Sequence, residues 1–158
     1  MALHYNIAQQ QDAELIAGLA DRIWRKHYPE IITMEQIDYM LNAMYSKESL
    51  VKQMKEGQEF TLVYEEGKPI GYLSISNKGD GQYFLHKFYV EVEDHRKGIG
   101  SALFQHILAS KPDLRSIELT VNRANYKSIN FYFKLGFHIQ RVADFDIGQG
   151  YFMNDFVM

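Results

Sequence analysis

The chain of 158 residues has no cysteine. Disulfides, thiolate nucleophiles and cysteine metal ligands are therefore excluded, which suits a reducing compartment such as the cytoplasm. Only three prolines occur, and none marks a linker between domains. No apolar run approaches the length of a membrane span, so no membrane partner is expected. The opening residues MALHYNIAQQQDAELIA lack a cationic start and a continuous apolar stretch, so no signal peptide is read there. An excess of positive charge is also missing. The net charge is −3, which gives no electrostatic footprint for nucleic acid. The six histidines, His4, His27, His86, His95, His106 and His138, show neither H-x-x-x-H nor H-E-x-x-H spacing, so a metal centre is not expected. No G-x-S-x-G turn for a serine nucleophile is present.

What is present is a large apolar share, 46%, with 11 Tyr and 10 Phe, enough for the core of one domain. LHYNIAQ alternates and predicts a strand. Asp12 stands where a helix cap is expected, and Leu15, Ile16, Leu19, Ile23 and Trp24 then recur at helical spacing to about His27. Thr33 with Gln36 reads as a capping box for a second helix with the face Met34, Ile37, Met40, Leu41 and Met44. KESLVKQMKEG is a short third helix. EFTLVYEEGKPIGYLSISNK predicts a hairpin, and GDGQYFLHKFYVEVE a further strand. GIGSALFQHILAS is a helix, SIELTVN a strand, and YKSINFYFKLG a helix ending on Gly136. FHIQRVADFD and GYFMNDFVM are the closing strands. The order β-α-α-α-β-β-β-α-β-α-β-β is a mixed α/β (α+β) arrangement. Its strand, glycine turn, helix and next strand form a candidate βαβ crossover.

The turn His95-Arg96-Lys97-Gly98-Ile99-Gly100-Ser101 opens a helix. The first N–H groups of a helix have no partner inside it and attract anions. Gly98 and Gly100 keep side chains away from an approaching ligand and permit unusual φ/ψ, while Arg96, Lys97 and His95 add charge and donors. A diphosphate is the natural guest, although glycine pairs also occur in purely structural turns. The dinucleotide fingerprint G-x-G-x-x-G fails, because its third glycine falls on Leu103, and the Walker pattern is absent.

A second cluster decides between these. VNRANYKSINFYFKLGF contains Asn125, Ser128, Phe131, Tyr132, Lys134, Gly136 and Phe137. This run resembles N-x-x-[A/S]-x-x-[F/L]-Y-x-[K/R]-x-G-F, and the turn resembles [Q/R]-x-x-G-x-[G/A], the two motifs of the GNAT superfamily of acyl-CoA-dependent N-acyltransferases. They stand in the family's order, one helix and one strand apart. His95 takes the place of the usual Gln or Arg.

The resemblance implies one domain over residues 1–158: a GNAT-type fold with a mixed, mostly antiparallel sheet of six to seven strands, helices on both faces and a βαβ acetyl-CoA unit. Residues 1–57 would form the acceptor side and 58–158 the acetyl-CoA-binding core. Backbone groups of Phe88, Tyr89 and Val90 would meet the pantetheine arm, and an N–H there would hold the thioester oxygen as it gains charge. The turn from His95 to Ser101 would hold the diphosphate, with Lys134 and Arg96 near phosphates. Tyr132 would protonate the leaving thiolate. Two roles are open to Asn125, a contact to pantetheine or a helix cap.

The acceptor amine arrives protonated, near pKa ~10.4, and needs a base. Glu118, His86 and Glu35 are candidates. The stretch IWRKHYPEIITMEQIDYMLNAMYSKESLVKQM and the tail DIGQGYFMNDFVM are similar to bacterial relatives of spermine/spermidine acetyltransferases, which implies a small polyamine-like acceptor. Glu30, Glu35, Asp38, Asp144, Asp146, Tyr39 and Tyr45 could surround such a cation. A protein or peptide amine, or a non-catalytic CoA-binding module, stays open, as does a homodimer through the last strand.

Overall fold

The computed structural model describes residues 2–91 and 98–158. Seven strands form one sheet: β1 (Leu3–Ile7), β2 (Glu59–Glu65), β3 (Lys68–Gly79), β4 (Gln82–Val90), β5 (Ser116–Asn122), β6 (Arg141–Gly148) and β7 (Tyr151–Val157). Their spatial order is β1-β2-β3-β4-β5-β7-β6. Every neighbouring pair is antiparallel except β4–β5. The helices are α1 (Ala13–His27), α2 (Met34–Tyr45), α3 (Lys47–Lys55), α4 (Ile99–Ser110) and α5 (Tyr126–Leu135). The element order and the mixed sheet are those read from the sequence. Among the described residues no helix is long and apolar enough to cross a membrane.

Strand alternation splits the apolar residues between two cores. Phe60, Leu62 and Tyr72 face α1, α2 and α3, burying Ile16, Leu19, Ile23, Trp24, Ile37 and Leu50. Their neighbours Val63 and Leu73 face the other way, onto Ile99, Leu103 and Ile107 of α4 and Ile129 of α5. The helices therefore cover both faces of the sheet.

The starts of α1 and α2 differ in detail from the sequence reading. Asp12 does not cap α1; its carboxylate accepts from the Gln9 N–H (2.8 Å) and closes a short turn before the helix. Thr33 does cap α2, accepting from the Gln36 N–H (3.1 Å), but the Gln36 side chain does not reach back to complete a box. It donates instead to the Phe152 carbonyl (3.0 Å), pinning α2 to β7.

The sheet feature that matters most lies in β4. Ser74 pairs with Lys87 and the next residue, Ile75, with Leu85, so His86 is an extra residue in a bulge. A bulge reverses the side-chain parity beyond it. Leu85 lies in the α4-side core; after the bulge Phe88 packs there, and Tyr89 turns to the α1 side. At the same point the sheet parts. Parallel pairing of β4 with β5 runs from Gln82–Ser116 to Leu85–Leu119. Beyond it, Thr120, Val121 and Asn122 of β5 pair with β7.

The end of β4 is held against β3 by a close approach. A Cβ on Gly71 would lie 2.6 Å from the Tyr89 carbonyl oxygen and 3.2 Å from the Val90 Cα, both backbone atoms that cannot swing aside. Gly71→Ala should therefore lower stability in urea unfolding by about 1–3 kcal/mol; a loss under ~0.5 kcal/mol, the range of an ordinary surface change, would contradict this packing.

Candidate active site

The parting of β4 from β5 leaves two clefts that meet at shared residues. One, of about 450 Å³, is lined by Phe88, Tyr89, Val90, Gly98, Gly100, Ser101, Phe131, Tyr132 and Lys134, with Lys127 and His27 at its edges. The other is narrow, about 70 Å³, and lies under α1 and α2, with Trp24, Tyr28, Met40, Met44, Met153 and Asp155 among its walls. Tyr89, Ser128 and Tyr132 line both.

On the wider side, Gly98 caps α4 with φ +71°, and a side chain added there would point into open space. The left-handed turn is what glycine permits at little cost. The first N–H groups of α4 lie beyond the reach of its own carbonyl ladder, and Gly98, Gly100 and Ser101 at this helix start line the cleft. Gly100 has a different role from the one its sequence position suggested. A Cβ there would lie 3.1 Å from Phe131 Cζ, so it lets α4 close on α5. His95, Arg96 and Lys97 lie outside the described residues.

Tyr132 is fixed from several directions. Phe88, Phe131 and Phe137 surround its ring, with centroids 5.7–6.4 Å away. Its carbonyl accepts from the Phe137 N–H (3.0 Å) in the turn that ends α5, where Gly136 has φ +103°. That turn also explains why the strand expected from Phe137 begins only at Arg141: Phe137 is spent on the helix end and packs on Phe104. Burial pushes the Tyr132 phenol well above its ordinary range. Tyr28 is raised to about 12 by the same cause, and its hydroxyl lies 3.0 Å from that of Tyr89. These phenols are neutral donors at pH 7.

Asn125 makes the cap: its side-chain oxygen accepts from the Ser128 N–H (3.3 Å), and the buried residue also lines the narrow cleft. Lys134 is exposed on the wider cleft, and Lys127, which the motifs do not single out, stands with it.

The candidate bases fare unevenly. Glu118 sits on the paired half of β5, opposite Phe84, and lines neither cleft. His86 borders the narrow cleft, but its Nε2 is 2.7 Å from Ser76 Oγ, and burial lowers its pKa to about 4. Glu35 is exposed. The other acids proposed for a cation are on the surface as well. Asp38 pairs with Arg25 (2.8 Å), Asp144 with Arg123 (2.9 Å), and Asp146 accepts from the Gly148 N–H (2.9 Å). Tyr39 donates to the Ile147 carbonyl. Of that group only Tyr45 lines the narrow cleft, and its hydroxyl accepts from Tyr72 (2.8 Å).

The residues that the sequence reading missed are Asp155, Tyr28 and Lys87. Asp155 is fully buried, and neither carboxylate oxygen has a hydrogen-bond partner of good geometry. Burial pushes its pKa up to about 6, against a smaller downward pull from the Thr120 hydroxyl and Arg123. Its signal was an acid at an inward position of an alternating strand, between Met153 and Val157. Lys87 is buried too, with Nζ donating to the side-chain oxygens of Gln53 (2.6 Å) and Gln58 (3.1 Å). Burial lowers its pKa to about 8.

The sequence and the fold are similar to those of known proteins. Residues 19–137 match the acetyltransferase (GNAT) family. The chain belongs to the GNAT family of acetyltransferases. It is 26% identical over 140 residues to a spermidine N(1)-acetyltransferase of Thermoplasma acidophilum, covering 82% of this chain and 84% of that one. It is 40% identical over 75 residues to the peptidyl-lysine N-acetyltransferase YiaC of Escherichia coli K12, 48% of this chain and 47% of the relative. The crystal structure of the PaiA N-acetyltransferase of T. acidophilum in complex with coenzyme A superposes with a TM-score of 0.80 at 25% identity, covering 99% and 97% of the two chains. This GNAT protein is thus an N-acetyltransferase by family.

The unpartnered carboxylate has a measurable consequence. Asp155 titrates near 3.8 when exposed and near 6 in the fold. Between those values the folded chain holds the extra proton, so this group's contribution to stability is full below about 4 and is lost as pH rises through about 6. Asp155→Asn should then be more stable than wild type at pH 7 by about 1 kcal/mol or more, with the gap closing near pH 4. Urea unfolding at the two pH values checks this; a variant less stable at pH 7 would contradict it.

Proposed function

We propose that the protein transfers an acetyl group from acetyl-CoA to a primary aliphatic amine, with a small polyamine-like molecule as the acceptor. The observation that carries this reading is the meeting of the two clefts at Tyr132. A long donor and a slender acceptor can lie end to end, one on each side of the sheet, with the reacting ends at the same phenol.

The residues of the wider cleft fit coenzyme A. The α4 N-terminus with the open space at Gly98 suits a diphosphate, and Lys127 and Lys134 add charge at the rim. Phe88 and Phe131 give an apolar bed for the pantetheine arm, and the β4 backbone at Phe88 and Tyr89 faces the gap where β5 has left. Acetyl-CoA supplies the activated thioester. A β4 amide beside the carbonyl would stabilise the charge that develops on its oxygen. Tyr132 donates a proton to the leaving sulfur. Its raised pKa does not defeat that transfer, because the same dry surroundings raise the pKa of a thiolate held there.

A lysine side chain of a protein is the second reading. It shares the ammonium and the alkyl stem of a polyamine, and the likeness to a peptidyl-lysine acetyltransferase favours it. The narrow cleft, about 70 Å³, has room for a stem and not for a sugar ring.

Release of free thiol from acetyl-CoA, measured over a panel of polyamines, lysine peptides and amino sugars, tests the reading. Tyr132→Phe should lower kcat by about 100-fold with little change in KM for either substrate. Unchanged kcat would remove Tyr132 from the mechanism. Tight CoA binding without turnover of any amine would make the protein a CoA-binding module.

A further inference from the structure

We infer that the Asp155 carboxylate receives the ammonium of the acceptor amine and takes one of its protons before the amine attacks. This rests on the acetyl-transfer reading above and adds the group that recognises and deprotonates the acceptor.

The first ground is the state of the carboxylate. A buried charge without a partner is costly and is tolerated where a bound group completes it. Asp155 is fully buried, neither oxygen has a hydrogen bond of good geometry among the described residues, the Thr120 hydroxyl gives it only a weak pull, and it lines the narrow cleft that opens on Tyr132. The second ground is that the cations nearby are committed elsewhere. Arg123 gives one nitrogen to the Asp155 backbone carbonyl (3.1 Å) and the other to Asp144 (2.9 Å). Lys87 is held by Gln53 and Gln58. The third ground is the wall. Trp24, Tyr28, Met40, Met44 and Met153 make a slender aromatic and thioether passage, suited to an alkyl stem behind a cationic head.

The groups facing Asp155 and its cleft are Tyr28 beyond α1, Tyr45 on α2, His86, Lys87 and Tyr89 on β4, Thr120 on β5, Arg123 after it, Tyr132 on α5 and Asp144 on β6. The tyrosines are neutral at pH 7, and His86, with its lowered pKa, is neutral as well. Lys87, its pKa lowered to about 8, is a cation that Gln53 and Gln58 hold. Asp155 is an anion with no hydrogen-bonded cation among the described residues, and its raised pKa narrows the gap to an amine of pKa ~10.4.

The protons balance. The ammonium gives one proton to Asp155 and becomes a neutral amine. Its lone pair forms the new C–N bond as the C–S bond breaks. The second proton lost by nitrogen replaces the one that Tyr132 gives to sulfur, and Asp155 returns the first to water.

The test is steady-state thiol release by the full chain at pH 7 with three acceptors. Spermidine and a lysine-containing peptide are ammonium ions; trifluoroethylamine is neutral at this pH. Asp155→Asn should lower kcat/KM by about 100-fold for whichever ammonium acceptor the wild type uses, which also decides between the two sources. Trifluoroethylamine, which needs no deprotonation, should change by less than about threefold. Asp155→Glu keeps the charge and should recover at least about a tenth of the wild-type rate. The affinity for coenzyme A should not move. Equal losses for charged and neutral amines, or an asparagine variant within about threefold of wild type on spermidine and peptide, would overturn the inference alone. A wild-type protein that binds coenzyme A but acetylates no amine would overturn the acetyl-transfer reading, and this inference with it.

Discussion

The structure depends on one interrupted strand pair. β4 and β5 are the single parallel neighbours in an otherwise antiparallel sheet, and their pairing stops at Leu85–Leu119. The bulge at His86 stands at that point. A central sheet cannot leave a strand edge bare without some other use for its polar backbone. Here β5 finds a new partner in β7, and β4 beyond the bulge lines a cleft. The bulge also reverses the parity of β4, so Phe88 lies on the side of α4 and α5 while Tyr89 reaches the side of α1. One extra residue therefore supplies both the gap and the walls on either side of it.

Around that gap the protein maintains a buried, mostly aromatic interior, in which Lys87 and Asp155 are the charged groups among the described residues. Trp24, Tyr28, Tyr45, Tyr72 and Tyr89 form a cluster of tilted and edge-to-face rings, with centroids 4.5–5.9 Å apart, and the tyrosine hydroxyls bond to one another in pairs. Burial keeps these phenols protonated. In such surroundings a fixed charge has large effects, because little water screens it. Lys87, held by Gln53 and Gln58, is one such charge, and Asp155 is the other. The burial of Asp155 outweighs the pull of the Thr120 hydroxyl and Arg123 and so lowers stability at neutral pH, the kind of local cost that binding sites carry and the rest of a fold offsets.

The order of elements was legible because helical and strand periods change cleanly along the chain, and Gly57, Gly98 and Gly136 fall at real boundaries, each with positive φ. Tyr132, Asn125, Lys134 and the Gly98 turn were legible as motif positions, and the fold brings Tyr132, Lys134 and Gly98 to one cleft. Gly100 was read as leaving room for a ligand, and the room it leaves is taken by Phe131. The bulge at His86 was not legible, since FLHKFYV carries no glycine or other mark of it. Asp155 was hidden for a related reason. Its importance comes from which face of β7 turns inward and from Arg123 pairing with Asp144 instead of with it, and both are facts of tertiary packing. The exposed acids at 30, 35, 38, 144 and 146 looked equivalent in sequence, and the fold separates them from Asp155 by burial and, for Asp38 and Asp144, by an ion pair.

The central claim is that the gap between β4 and β5 is the seat of coenzyme A. A crystal structure of the complex tests it most directly. The account predicts the pantetheine arm bonded to the β4 backbone at Phe88 and Tyr89, the diphosphate on the N–H groups that open α4, and the sulfur beside Tyr132. Coenzyme A bound on another face, with that gap left empty, would contradict it.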